Sequence, residues 1–281
     1  MKTPKRIQPL VEEGLVDSVV RQLMSGKEAT VYVVRCGEEV RCAKVYKEAN
    51  QRSFKQNVAY QEGRKVKNSR QARAMEKGTR YGRKMAEEVW QNAEVDALYR
   101  LAAAGVRVPQ PFICFEGVLL MELVTDAEGN AAPRLNDVEL SEALALDYHA
   151  QLLHQVVLML CGGIIHGDLS EYNVLVGAQG PVIIDLPQAV DAAGNTTAGD
   201  MLERDVANMA TYFSRFAPQL ADTQYGKEIW ALYQAGLLTP ETPLTGRVEL
   251  DTRPGDVGAV MREIALARKE EEDRLRYLQQ E

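Results

Sequence analysis

His166-Gly167-Asp168-Leu169-Ser170-Glu171-Tyr172-Asn173, followed twelve residues after Asn173 by Asp185, is the stretch on which the reading turns. Asp185 closes the apolar run Val182-Ile183-Ile184. Val174 to Val176 and Val182 to Leu186 read as short strands around Gly177-Ala178-Gln179-Gly180, which suits a turn. A hairpin brings the outer ends of its strands together, so Asn173 and Asp185 are predicted to converge on one hard cation. Asp168, five residues before Asn173, falls beside them. Any one of these residues alone would be read as turn chemistry. Together, a carboxylate that orients an attacking oxygen and an Asn/Asp pair that holds a metal suit phosphoryl transfer.

Upstream of this stretch, Glu142 to Leu160 is a long, mostly apolar helix, ended by Gly162-Gly163. It carries His149 and His154, whose spacing of five does not put them on one helix face, and both are read as structural. Mostly helical sequence follows Asp185. The first half differs. Val19 to Leu23, Val31 to Val34 and Val40 to Tyr46 read as strands separated by Ser25-Gly26-Lys27 and Cys36-Gly37-Glu38. Phe112 to Phe115 and Val118 to Glu122 form another strand pair around Glu116-Gly117. Between them a helix is predicted over 86–104, stopped by Gly105. Its apolar face, Trp90, Ala97, Leu98 and Leu101, includes Glu94. A carboxylate turned inward needs a cation, because an unpaired buried charge is costly. Lys44, which shares a strand face with Cys42 and Tyr46, is the natural partner. Ser25 to Tyr32 is not a Walker A loop, since Arg21 and Glu28 stand where Gly and Ser/Thr would be required. Its single-glycine turn still offers backbone N–H groups to phosphates.

The predicted fold class is therefore α+β: a bilobal protein-kinase-like fold with a small antiparallel-sheet N-lobe (1–123) and a helical C-lobe (124–281). Asp, Gly, Asn and Pro accumulate at the boundary, near Val124 to Arg134.

Composition agrees with a globular protein: 281 residues, 46% hydrophobic and 26% charged. No window has the uncharged apolar length of a membrane span, and the basic N-terminus lacks a following signal core. The expectation is a cytoplasmic protein without a membrane partner. Cys36, Cys42, Cys114 and Cys161 have neither C-x-x-C nor zinc spacing and read as free buried thiols. The net charge of −7 is uneven. Residues 47–84 hold twelve Lys/Arg and three Glu, so that segment is +9 and the remainder −16. This segment reads first as a flexible basic insertion and second as a phosphate- or nucleic-acid-facing loop, with RNA or a ribosomal surface as the partner such charge would suit. The charged tail within 247–281 reads as a solvated helix.

These motifs resemble the RIO family of atypical serine/threonine protein kinases, over about residues 16–216. Ser25-Gly26-Lys27-Glu28-Ala29-Thr30-Val31-Tyr32 is similar to that family's phosphate loop, and His166 to Asn173 to its catalytic loop. Ile184-Asp185-Leu186-Pro187-Gln188 resembles its metal-binding segment, and Leu202-Glu203-Arg204-Asp205 a signature of its helical lobe. The resemblance implies ATP with Mg²⁺ or Mn²⁺. Asp168 would be the catalytic base, with Lys44 and Asp185 completing the catalytic set and Asn173 and Asp185 binding metal. Nucleotide contacts would come from Ser25, Gly26, Lys27, Glu28, Ala29, Val31, Lys44, Glu94 and the hinge Met121-Glu122-Leu123. It implies the branch without an N-terminal winged-helix domain. The acceptor would be another protein or the chain itself, as a phosphoprotein. Pro187 stands where many members have Ser, no Gly completes a D-F-G, and no A-P-E-like segment precedes Asp205. These departures leave open an ATPase with an aspartyl-phosphate intermediate on Asp185. A small-molecule phosphotransferase (of antibiotics or sugars) and a nucleotide-binding scaffold are the alternatives.

Overall fold

The structure is a computed structural model that describes residues 3–26, 29–47 and 93–248. Lys27, Glu28, Trp90, residues 48–84 of the basic segment and the tail from 249 lie outside the described residues.

Five strands build the first lobe: β1 (Ser18–Ser25), β2 (Ala29–Cys36), β3 (Glu39–Tyr46), β4 (Pro111–Phe115) and β5 (Val118–Glu122). They form one antiparallel sheet in the order β1-β2-β3-β5-β4. The two-residue turn between β4 and β5 puts Glu116 at φ 47° and Gly117 at φ 73°. Positive φ at both central residues matches the right-handed twist of the flanking strands. Strand alternation gives the sheet two buried faces. One packs Val34, Ala43, Val45, Val118 and Leu120 against Ile7 and Leu10. Leu10 sits on helix α1 (Gln8–Glu12), an element the sequence reading did not anticipate behind the basic N-terminus. The other face sets Tyr46 and Leu119 against Ala97, Leu98 and Leu101. These last three lie on helix α2, which is described over 93–103.

Beyond Glu122 the chain is mostly helical. Helix α3 (Glu142–Cys161) starts with Ser141 Oγ accepting from the N–H of Leu144 at 3.3 Å, which satisfies one orphan donor. It ends where Gly163 adopts φ 74°. His149 is buried in it, whereas His154 faces outward. Two small ladders follow: β6 (Ile164–Ile165) with β9 (Val190–Asp191), and β7 (Val174–Gly177) with β8 (Gly180–Ile183). Helices α4 (Ala198–Phe213) and α5 (Tyr225–Gln234) follow, the last helices of this lobe among the described residues apart from a short 3-10 turn. The result is the expected α+β fold, a small antiparallel-sheet lobe followed by a helical one.

Two expectations need correction. β8 begins at Gly180 and stops at Ile183 rather than running from Val182 to Leu186. Asp185 takes φ 66°, which no strand residue can hold, so Ile184 to Leu186 leave the sheet. Of the four free cysteines only Cys42 is buried. Cys114 and Cys161 are exposed, on an edge strand and at a helix end, and Cys36 is intermediate, at the end of β2 where it only partly packs against the cluster of Ile7, Leu10 and Val34.

Candidate active site

The site forms where the sheet, α2 and the β7–β8 hairpin meet. β3 fixes Lys44 opposite Val31 on one side and Leu119 on the other, pointing to the face covered by α2. There Lys44 Nζ donates to Glu94 Oε1, and Glu94 is only 4% exposed. Lys44 Nζ also lies 3.4 Å from Asp185 Oδ1. Burial works against the Lys44 ammonium, but the Glu94 and Asp185 carboxylates outweigh it and its pKa rises above the ordinary lysine value. The amine is therefore held charged. Tyr46, two residues along the same strand and fully buried, directs its hydroxyl at Glu94. Burial first, then that carboxylate, raises its pKa. The inferred pairing of Lys44 with an inward-facing Glu94 is thus present in the fold. The third member, Tyr46, was missed, although its strand period with Lys44 was the signal that could have found it.

The His166–Asn173 stretch is held from below by α4. Asp205, 2% exposed, accepts from the backbone N–H of Gly167 at 2.7 Å and of Leu169 at 3.1 Å, on either side of Asp168. Arg204 donates to the Gly167 carbonyl, and Asn208 Nδ2 donates to the Leu169 carbonyl at 3.2 Å. His166 Nε2 meets the Ile184 carbonyl at 3.0 Å, tying this loop to the segment that carries Asp185. Burial raises the Asp168 pKa above the usual carboxylate range, against His166 and Arg204 and with a further push from Asp185. Burial likewise lifts Asp205 to about 6, in spite of its backbone hydrogen bonds.

Asn173 Nδ2 donates to the Asp168 carbonyl at 2.9 Å, and the Ile184 N–H donates to the Asn173 carbonyl at 2.9 Å. The first bond commits the amide NH₂ group, so Oδ1 is the end offered as a ligand. The second places Asn173 beside the residue before Asp185. An amide oxygen and a half-exposed carboxylate are both hard-oxygen donors, the kind that suits a divalent cation completed by water and phosphate oxygens. No cluster of three or more His/Cys/Asp/Glu metal ligands exists among the described residues.

Of the expected nucleotide contacts, Ser25 and Gly26 close the β1–β2 turn, with Gly26 N–H bonded to the Ala29 carbonyl at 2.9 Å. Lys47 Nζ reaches the Gly26 carbonyl at 2.6 Å and Ser25 Oγ at 3.3 Å. Ala29 and Val31 are buried on the strand that leaves the turn. Met121, Glu122 and Leu123 are half-buried where the chain leaves β5. The Glu122 side chain is bound to Arg107 at 2.6 and 2.8 Å, a residue the sequence reading did not single out.

The RIO domain profile matches residues 30–225. Over 214 residues the chain is 32% identical to a RIO-type serine/threonine-protein kinase Rio1 of Haloferax volcanii, covering 74% of this chain and 68% of that protein. It is 29% identical over 212 residues to the serine/threonine-protein kinase rio1 of Schizosaccharomyces pombe, and 30% over 208 residues to the serine/threonine-protein kinase RIO1 of Homo sapiens. Those alignments cover 73% of this chain in each case but only 40% and 35% of the two eukaryotic proteins. With its sheet lobe, its His166–Asn173 loop tethered to α4 and a RIO-domain match over residues 30–225, the chain belongs to the RIO family of protein kinases.

Proposed function

We propose that this chain is an ATP- and Mg²⁺-dependent serine/threonine protein kinase whose sheet lobe and helical lobe enclose the nucleotide. The observation that carries the reading is the Lys44–Glu94 pair set against Asp185, with the catalytic loop fixed beside it by Asp205. Lys44, held charged by two carboxylates, would bind the α- and β-phosphates as a fixed cation. The β1–β2 turn would lie over the phosphates, and Glu94 and Tyr46 would keep the ammonium from swinging away. Asn173 Oδ1 and the Asp185 carboxylate would hold the metal, which neutralises phosphate charge when bound. Asp168 would orient the acceptor hydroxyl and take its proton, its raised pKa bringing it nearer to working pH. Adenine would rest against Met121-Glu122-Leu123. β3–β5 register pairs Arg41 with Glu122 and Lys44 with Leu119, three residues along each strand. At about 3.3 Å per residue the hinge is about 10 Å from the lysine, the span from a base to its phosphates. Free thiols without disulfides fit a cytoplasmic protein.

Incubation with γ-labelled ATP and Mg²⁺ should label serine or threonine of an acceptor protein, or of the chain itself. Asp168→Ala should reduce that labelling about 10²–10⁴-fold while binding ATP. Wild-type turnover in a folded Asp168→Ala protein would remove Asp168 as the base.

A second reading is favoured by one feature. Asp185 has a half-exposed carboxylate on a left-handed turn of the backbone, placed against the lysine. Such a carboxylate can attack the γ-phosphorus, forming an acyl phosphate and releasing ADP. Rapid quenching followed by hydroxylamine separates the readings, since an acyl phosphate is cleaved and phosphoserine is not. Stable label on Ser or Thr alone would eliminate the aspartyl intermediate.

A further inference from the structure

Arg107 lies in the connection between α2 and β4, remote in sequence from every catalytic motif, and it joins three elements at once. Its guanidinium grips the Glu122 carboxylate in a two-pronged contact, Nη2 to Oε1 at 2.6 Å and Nη1 to Oε2 at 2.8 Å. Its backbone N–H donates to Gln155 Oε1 on α3 at 2.6 Å, and its carbonyl accepts from the N–H of Ile183 on β8 at 2.9 Å. The same strand end is tied twice more: Gln110 N–H donates to Glu122 Oε2 at 3.0 Å, and Glu122 N–H donates to the Gln110 carbonyl at 2.9 Å.

The side chain of Arg107 therefore fixes the last residue of the sheet, while its backbone is fixed to the lobe that carries Asp185. Ile183 is two residues from Asp185. The Glu122 carboxyl responds as a gripped group should. Burial would raise its pKa, yet the Arg107 hydrogen bonds, the Gln110 N–H and the Arg107 charge hold it below the usual value. We propose that Arg107 is a positioning residue for nucleotide binding, setting the distance between the adenine-binding backbone at Met121–Leu123 and the phosphate-binding groups. The proposal rests on the nucleotide reading above, and it assigns the adenine end of that site a dedicated clamp.

The planar fork is the essential element. A guanidinium matches both oxygens of a carboxylate, whereas an ammonium makes a point contact that does not fix the angle of the strand end. The pair is partly exposed, with 37% and 29% of the two side chains accessible, so its net effect on folding is small. A recess of about 190 Å³ lined by Arg107, Glu122, Thr125 and Gln179 leaves room for a shorter side chain without crowding.

The test measures, by calorimetry, the Kd of a non-hydrolysable ATP analogue with Mg²⁺ and that of inorganic tripolyphosphate with Mg²⁺. Wild type, Arg107→Lys and Arg107→Ala are compared. Both variants should keep a melting temperature within about 4 °C of wild type. Both should bind the analogue about tenfold more weakly, the factor one lost charge-assisted hydrogen bond accounts for. Tripolyphosphate, which has no base to seat, should bind them as it binds wild type. Unchanged analogue affinity in either folded variant would overturn the proposal. Equal weakening of both ligands would overturn it as well, because the residue would then act on the whole fold. If wild type binds neither ligand, the nucleotide reading itself fails and this inference falls with it, an outcome that the variants cannot mimic.

Discussion

Replacing Asp205 by Asn should separate activity from stability. The Asp205 carboxylate is 2% exposed and accepts two backbone N–H bonds that bracket Asp168. An amide keeps one acceptor oxygen, so one of those N–H groups faces an NH₂ group instead. Losing a hydrogen bond to a charged acceptor costs about 1.5–3 kcal/mol. The opposing contribution comes from burial. The Asp205 pKa is raised from 3.8 to about 6, so at pH 7 its ionised form is disfavoured in the folded state by about 3 kcal/mol. The sign follows from linkage: a carboxyl with a raised folded pKa contributes stability below pH 3.8 that is lost as pH rises through 6. Asn carries no charge and escapes that penalty. The two effects largely offset each other, and Asp205→Asn should unfold in urea at pH 7 within about 2 kcal/mol of wild type. Turnover should nevertheless fall about 10²-fold, since a displaced Asp168 no longer meets the acceptor hydroxyl in line. Acidification from pH 7 to 5 should stabilise wild type relative to the variant. Steady-state phosphorylation and urea titration of the same preparations decide it. A variant as active as wild type would refute the positioning role, and one destabilised by several kcal/mol would refute the cancellation.

Three further outcomes are expected. Lys44→Ala should abolish turnover and also lower stability by about 3 kcal/mol, because Glu94 is left buried without its cation; Lys44→Met combined with Glu94→Gln should recover stability in a thermal melt while remaining inactive. His149, whose pKa burial lowers to about 4, should make folding weaker by about 3 kcal/mol as pH falls from 6.5 to 4, and His149→Phe should flatten that acid slope in urea titrations. Gly226→Ala should destabilise the α4–α5 contact by about 1–3 kcal/mol in chemical denaturation, because the added Cβ would sit 2.9 Å from the Glu203 Cα and backbone cannot move aside as a side chain can.

The strands of the first lobe were legible because each alternates or runs apolar between turn residues, and β5 was bounded as read, from Val118 to Glu122. Glu94 was legible for a different reason: a charge in the middle of an apolar stripe demands a partner, and the demand points outside the helix. Helix α1 was not visible, since Ile7 and Leu10 are too few to declare a period and acquire meaning only against the outer face of the sheet. Arg107 was equally hidden. Its partner Glu122 ends strand β5 and its backbone partners are on α3 and β8, so only the assembled topology brings the three together. The early end of β8 also escaped, because a left-handed aspartate leaves no trace in hydrophobic pattern. The residues named as the reacting set fall together in space, while Lys27 and Glu28 lie outside the described residues.

The backbone at Asp185 bears on how an inactive form of this protein should be built. At φ 66° the position accepts Asp, Asn or Gly readily, and other side chains meet their own following carbonyl at a cost of about 1–2 kcal/mol. An alanine there alters two variables, the carboxylate and the path of the chain toward Leu186, and its silence would be ambiguous. Asparagine keeps the path and changes only the charge, which makes it the appropriate decoy for trapping an acceptor or a partner on an otherwise native surface.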